Sequence, residues 1–238
     1  MIIKNRNRMK RLIIMISAVV VAVSCDSKKT LGEEVMANLC KHEYYGYWAE
    51  TFWTYQFHKD GTFTFLCDGH YSTDCNDTGI YTVLDSFILL VPNTDWRVYA
   101  GVLKNKLKYI DKNRIRDYDG YYYTSNFDSI HYYNQLRYDF VDSTKSVLNG
   151  LDEVIKAKAR IGVKGDSWYD KHNKPEFWYD GIIVVDNVEL HSFNLITYDY
   201  DCDYPHKNSH LSLLIKKIPF EVYQYNYAGS KLTLIYKK

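Results

Sequence analysis

The chain has 238 residues, 46% of them hydrophobic and 25% charged, with a formal net charge of +1. Five basic residues and no acid fall in the first 25 positions, so the remainder sits at about −4. An acidic remainder in which no basic run exceeds two residues excludes a nucleic-acid surface, which requires clustered Lys and Arg.

The chain opens with Lys4, Arg6, Arg8, Lys10 and Arg11, then an apolar stretch over 12–23 broken only by Ser17. Charge, apolar core and a small-residue cut site form the layout of an export signal. The apolar run is too short to span a hydrocarbon core, which takes ~20 residues. Ala22-Val23-Ser24-Cys25 resembles the bacterial lipobox, with Ala where Leu is usual. The resemblance implies a signal peptide over 1–24, cleavage before Cys25, a diacylglycerol on the Cys25 thiol and palmitate-type acylation of its amine. Several acyl chains anchor a protein stably where one binds only marginally. The rival reading is a soluble secreted protein with a cysteine at that position by chance. The expected location is the cell envelope, lipid-anchored at the outer membrane. Asp26 retains lipoproteins at the inner membrane in some bacteria, but not in Bacteroides-type cells.

After a polar tether, Thr30-Leu31-Gly32-Glu33 matches a capping box. Val35, Met36, Leu39 and Cys40 then recur at helical spacing and predict a short helix over 31–41. Residues 25–42 thus read as lipidated tether plus helix, and 43–238 as β-rich. Tyr (24 residues) and other aromatics favour strands. A strand is predicted over 47–57, with Tyr47, Ala49, Trp53, Tyr55 and Phe57 on one face. Asp60-Gly61 marks a hairpin, and Phe63, Phe65 and Cys67 share a face over 62–67. A turn at 76–79, strands over 80–84 and 87–91, and a tight turn at Asp85-Ser86 follow. Further strands are predicted over 96–103, 107–110, 121–124 and 130–141, with 111–120 as a loop. Val147, Leu148, Leu151, Val154 and Ile155 change the period to 3.6 and predict an amphipathic helix near 143–160, capped by Asp142 or Ser143 and weakened by Gly150. Strands resume over 177–185, 188–198, 210–218, 220–227 and 231–236, with a turn at Asp186-Asn187.

Many short strands at regular spacing predict an all-β, mainly antiparallel fold with one short N-terminal helix and one amphipathic helix. The helix near 143–160 is either docked on a single β domain or divides two. Cys67 and Cys75 flank a turn-rich segment and are the disulfide candidates. A bridge from Cys40 to Cys202 would close a long loop, and free buried thiols are the rival reading.

Gly46-Tyr47-Trp48 resembles the Gly-x-Trp motif of lipocalins, and Thr94-Asp95 with Tyr99 their second motif. The stretch from Phe57 to Phe63 and Gly79-Ile80-Tyr81 is similar to lipocalin-like lipoproteins of Bacteroides-type bacteria. The resemblance covers 26–140. It implies an antiparallel barrel or half-barrel, with Trp48 closing its base and an interior able to hold an apolar ligand.

Candidate chemistry is sparse. Asp199, Asp201, Cys202, Asp203, His206 and His210 could ligate Ca²⁺ or Zn²⁺. An acidic loop explains them more simply, and no metal or cofactor is expected. No nucleophile elbow, phosphate loop or His-Glu-x-x-His occurs, so no catalytic residue is assigned and a non-enzymatic role is expected. The expected function is a lipid-anchored envelope protein binding a small apolar ligand or envelope component. The alternative is an interaction module that binds glycan or protein through the aromatic clusters Tyr44-Tyr45-Tyr47-Trp48, Tyr121-Tyr122-Tyr123, Tyr132-Tyr133 and Trp168-Tyr169. Core and cross-strand pairing is the simpler account of any one of these residues.

Overall fold

A computed structural model describes residues 31–48, 50–69, 76–94, 105–161, 174–199 and 206–238, without the side chains of Trp48 and Asp199. A helix α1 (Leu31–Leu39) precedes β1 (Glu43–Trp48), β2 (Thr51–Phe57), β3 (Thr62–Gly69), β4 (Asp77–Leu84), β5 (Phe87–Pro92), β6 (Lys106–Asp111), β7 (Arg114–Asp117) and β8 (Tyr122–Thr124). These strands close an eight-stranded antiparallel barrel, sealed where Tyr45 of β1 pairs with Thr124 of β8. Helices α2 (Ile130–Asn149) and α3 (Asp152–Ile161) follow. Then come β9 (Glu176–Val185), β10 (Val188–Asp199), β11 (His206–Lys216), β12 (Glu221–Asn226) and β13 (Lys231–Lys237). They form an antiparallel sheet in the order β13-β12-β11-β10-β9.

The two-residue period of a strand explains the barrel. In β2, Thr51, Trp53, Tyr55 and Phe57 alternate inward, and in β3 Phe63, Phe65 and Cys67 do the same. Tyr81, Ile88, Leu90, Leu107, Ile115 and Tyr123 complete the lining. Tyr55 sits among Phe65 and Tyr123, with ring centroids 4.7 and 5.0 Å away, and Phe57 meets Tyr81 at 5.0 Å. Val35 and Leu39 of α1 join the same core. Asn38 donates to the Tyr109 hydroxyl and Cys40 Sγ lies 3.3 Å from that of Tyr81, so α1 seals one mouth. Of the inward phenols, Tyr44 donates to Lys112 O, Tyr81 to His58 O and Tyr123 to Asp117. The barrel interior is therefore occupied by its own aromatic side chains.

The lipocalin resemblance implied an antiparallel barrel or half-barrel, and the sheet closes into a barrel; several elements differ from expectation. The predicted strand over 47–57 is a hairpin: Trp48 pairs with Thr51, and Glu50 takes φ +63°. Glu50 is not a usual turn residue, so local chemistry hid the turn; Ala49, expected on the strand's inner face, lies outside the described residues. The predicted loop over 111–120 contains β7, and Asp77 to Gly79, expected as turn, already pair with β3. The predicted strand over 130–141 is helix. Its buried residues Ile130, Asn134 and Val141 continue to Thr144 and Leu148 at helical spacing. Its aromatics favour strands intrinsically, and packing overrode that preference. Asp142 and Ser143, expected as caps, lie inside α2, and Gly150 ends it. Of the predicted stripe, Leu148, Leu151 and Val154 are buried while Val147 and Ile155 are exposed, because the break at Gly150 shifts the phase. The predicted strand over 96–103 lies outside the described residues.

Helices α2 and α3 cover one face of the second sheet, where Leu148 and Val154 meet Phe193, Leu195, Leu213 and Ile215. Barrel and sheet are tied directly. Ile182 N donates to Tyr118 O at 2.6 Å, and Glu189 of β10 accepts from Lys108 of β6 and Arg116 of β7 at 2.7 and 2.9 Å.

Candidate binding site at the barrel–sheet junction

The β7 sequence Arg114-Ile115-Arg116 places Ile115 in the barrel core and both arginines on its outer wall. On α2, Tyr133, Leu136, Arg137 and Phe140 fall at i, i+3, i+4 and i+7, one helical face. From the second sheet come Tyr179 and Ile182 of β9 and His191 of β10. A bulge allows the former two to share a side: Gly181 pairs with Ser192 and Tyr179 with Phe193, leaving Asp180 unpaired. Gly181 has φ +102°, and a Cβ there would lie 2.3 Å from Tyr118 O, so the close approach of sheet to barrel requires glycine.

These residues, with Tyr122 and Lys217, enclose a cavity of about 90 Å³. Arg114 pairs with Asp111, and Arg116 with Glu189. Burial pushes the Glu189 carboxyl up, but its bonds from Lys108 and Arg116 prevail and hold it below the usual carboxylate range. Arg137 donates from Nε to Asp119 O at 2.9 Å, and its guanidinium lies 4.0 Å from the Tyr121 ring centre. His191 packs on Phe140 at 4.4 Å, with Nδ1 3.0 Å from the Tyr179 hydroxyl. Burial, reinforced by Arg116 and Lys217, depresses its imidazole to about 4. Burial likewise raises the Tyr179 hydroxyl, so at neutral pH both rings are uncharged. Among the described residues lining the cavity there is no Ser, Thr, Cys, Asp or Glu.

Arg137 and Tyr179 also form a wall of an adjoining groove of about 470 Å³, lined further by Tyr121, Tyr138 and Trp178. Trp178 is 40% exposed, and Lys207 Nζ stands 3.3 Å from its ring centre. A third concavity, near the barrel mouth, has mostly polar walls from Lys41 to Thr62 and stops at the buried Phe57.

The sequence-predicted residues are scattered relative to this site. Cys25 and Cys75 lie outside the described residues, and Cys67 is disulfide-bonded. Cys40 is a free thiol, so the bridge considered between Cys40 and Cys202 is not formed. Trp48 ends β1 opposite Thr51, and its side chain lies outside the described residues. Asp201, Cys202 and Asp203 lie outside them too; His206 is exposed and His210 Nε2 meets Thr197 Oγ1 at 2.7 Å. The aromatic runs divide by strand phase. Tyr44 and Tyr123 point inward. Tyr45 and Tyr47 pack outside against Phe127 and His131. Tyr122 meets Tyr133 in the junction, and Tyr121 faces the groove. Trp168 and Tyr169 lie outside the described residues. Sequence reasoning missed Arg114, Arg116, Arg137, Tyr179, His191 and Lys217. The i, i+3, i+4, i+7 face of α2 was the available signal, and reading 130–141 as a strand concealed it.

A scan against protein-family models and searches of curated proteins and of solved structures gave no match.

Proposed function

We propose that the protein is a lipocalin-like, lipid-anchored and non-catalytic binding protein of the cell envelope, held by Cys25 at the outer membrane, and that it binds glycans at the junction between barrel and sheet. The observation that carries this reading is the contrast between interior and exterior. The barrel, where a small apolar ligand was expected, is filled by Tyr55, Phe57, Phe65, Tyr81 and Tyr123. The aromatic groove outside it is open, with Tyr121, Tyr138 and Trp178 beside Asp119, Asp142, Lys145 and Asp180. Aromatic faces flanked by hydrogen-bonding groups suit a sugar ring, which has apolar C–H faces and a polar rim. The lining of the adjoining cavity favours holding a ligand over hydrolysing it, because among the described residues it contributes no carboxylate and no Ser, Thr or Cys.

Two measurements test this reading. Cys25→Ser should move the protein from the membrane pellet to the soluble periplasmic fraction; retention in the pellet would remove the lipid anchor. On a broad glycan array, the full chain should bind a subset of glycans, and Trp178→Ala and Tyr121→Ala should each weaken that binding about tenfold or more, the scale of a lost aromatic anchor. Silence across the array, or binding indifferent to both substitutions, would sink the glycan assignment.

A further inference from the structure

The junction cavity is too small for a whole ligand. Its volume is about 90 Å³. Sites for drug-sized molecules run to ~300–1,000 Å³. A carboxylate or phosphate group fits, and the lining has the matching charge: Arg114, Arg116, Arg137 and Lys217, with no acid among the described lining residues. Asp111 and Glu189 offset the two β7 arginines. Among the described residues, Arg137 and Lys217 have no carboxylate partner. Arg116 is only 8% exposed, yet its Nε has no hydrogen-bond partner. A buried cationic donor of this kind is costly to leave unmatched, and an oxyanion is the strongest acceptor it can be given. The imidazole of His191, depressed first by burial, is lowered further by Arg116, Lys217 and Arg137, with Glu189 opposing them.

Arg137 and Tyr179 line both this cavity and the aromatic groove. A ligand can therefore place a charged substituent in one and its rings in the other. Resting on the reading that the junction binds glycans, we propose that those glycans are acidic: the cavity takes the oxyanion of a uronate or a sugar phosphate on Arg116, Arg137 and Lys217, while the adjoining rings stack in the groove on Tyr121, Tyr138 and Trp178.

The test is titration calorimetry on the full chain in detergent micelles, with trigalacturonate, glucose 6-phosphate and neutral cellotriose. The His191 imidazole is followed by NMR in the same samples. At least one of the two acidic probes should bind about tenfold tighter than cellotriose, a difference of one decade in Kd. Which of them binds separates a carboxylate from a phosphate headgroup. The bound anion should raise the His191 pKa, because it offsets Arg116, Lys217 and Arg137, which add to the depression by burial. Lys217→Gln, at an exposed turn position, should weaken the acidic probe several-fold and leave the unliganded melting temperature unchanged. Acidic binding with an unmoved His191 titration, or unaffected by Lys217→Gln, would place the anion elsewhere and overturn the proposal. Cellotriose binding that needs Trp178 while neither acidic probe binds tighter would overturn the acidic assignment and leave the glycan reading standing. No binding by any probe, together with a silent array, would remove both.

Discussion

His191 is a neutral ring among cations. It is wedged between Phe140 and Tyr179, and burial first, then Arg116 and Lys217, lower its pKa from the ordinary 6.5 to about 4. The unfolded chain takes up this proton near pH 6.5 and the folded chain only near pH 4. Within that window the unfolded state binds more protons, so acidification destabilises the fold; above it, both states are neutral and the term vanishes. The full effect is on the order of 3 kcal/mol. His191→Gln should flatten the dependence of urea-unfolding free energy on pH between 6.5 and 4, measured against the unsubstituted chain. An identical slope in both proteins would contradict the buried, neutral placement. Gly46 shows a different kind of single-residue constraint. A Cβ there would lie 2.6 Å from the Tyr123 ring, so the glycine of the Gly-x-Trp motif lets Tyr123 lie inside the barrel. The motif's first residue thus has a packing reason of its own.

At the scale of elements, α2 is the most informative. It carries Tyr132, Tyr133, Tyr138 and Phe140, which prefer strands, yet it forms a helix because Ile130, Asn134, Val141, Thr144 and Leu148 then fall on one buried stripe. A strand would have turned Val141 to the face opposite the other four. Helical phase makes a sharp prediction. Leu148→Ala should cost about 2–5 kcal/mol, the range for a truncated core leucine, and Tyr132→Ala no more than about 0.5 kcal/mol. Leu148 is fully buried and Tyr132 is 62% exposed. Chemical denaturation of both variants checks this, and comparable losses would argue against the helical phase.

The whole molecule is held together at the junction by few but specific ties. Glu189 reaches from the second sheet to two cations on the barrel, Lys108 and Arg116, and Ile182 adds a backbone bond to Tyr118. Glu189→Gln keeps the shape and removes the charge, leaving Arg116 buried without its counter-ion. A loss of about 1–3 kcal/mol is expected, since removing one partner strands the other. Weakened coupling should also appear as faster amide exchange at Ile182 than in the unsubstituted chain. Unchanged stability and exchange would show that the backbone tie and the packing suffice without the ion pairs.

Much of the β architecture was legible locally. Asp60-Gly61, Asp85-Ser86 and Asp186-Asn187 turn the chain where expected, with positive φ at Gly61, Asp85, Asp186 and Asn187. The alternation in 62–67 placed Phe63, Phe65 and Cys67 on the buried face. The helix expected over 31–41 forms over Leu31–Leu39, while Thr30, its expected cap, lies outside the described residues. Such features depend on residues a few positions apart, so side-chain chemistry in one stretch of sequence is enough to define them. By contrast, barrel closure depends on Tyr45 meeting Thr124, the helical state of α2 on which of its faces is buried, and the junction on side chains gathered from Arg114 to Lys217. No local pattern encodes those meetings. They arise when two sheets and a helix bury their apolar faces together, and the same burial that fills the barrel with aromatic rings leaves the cationic cavity outside it.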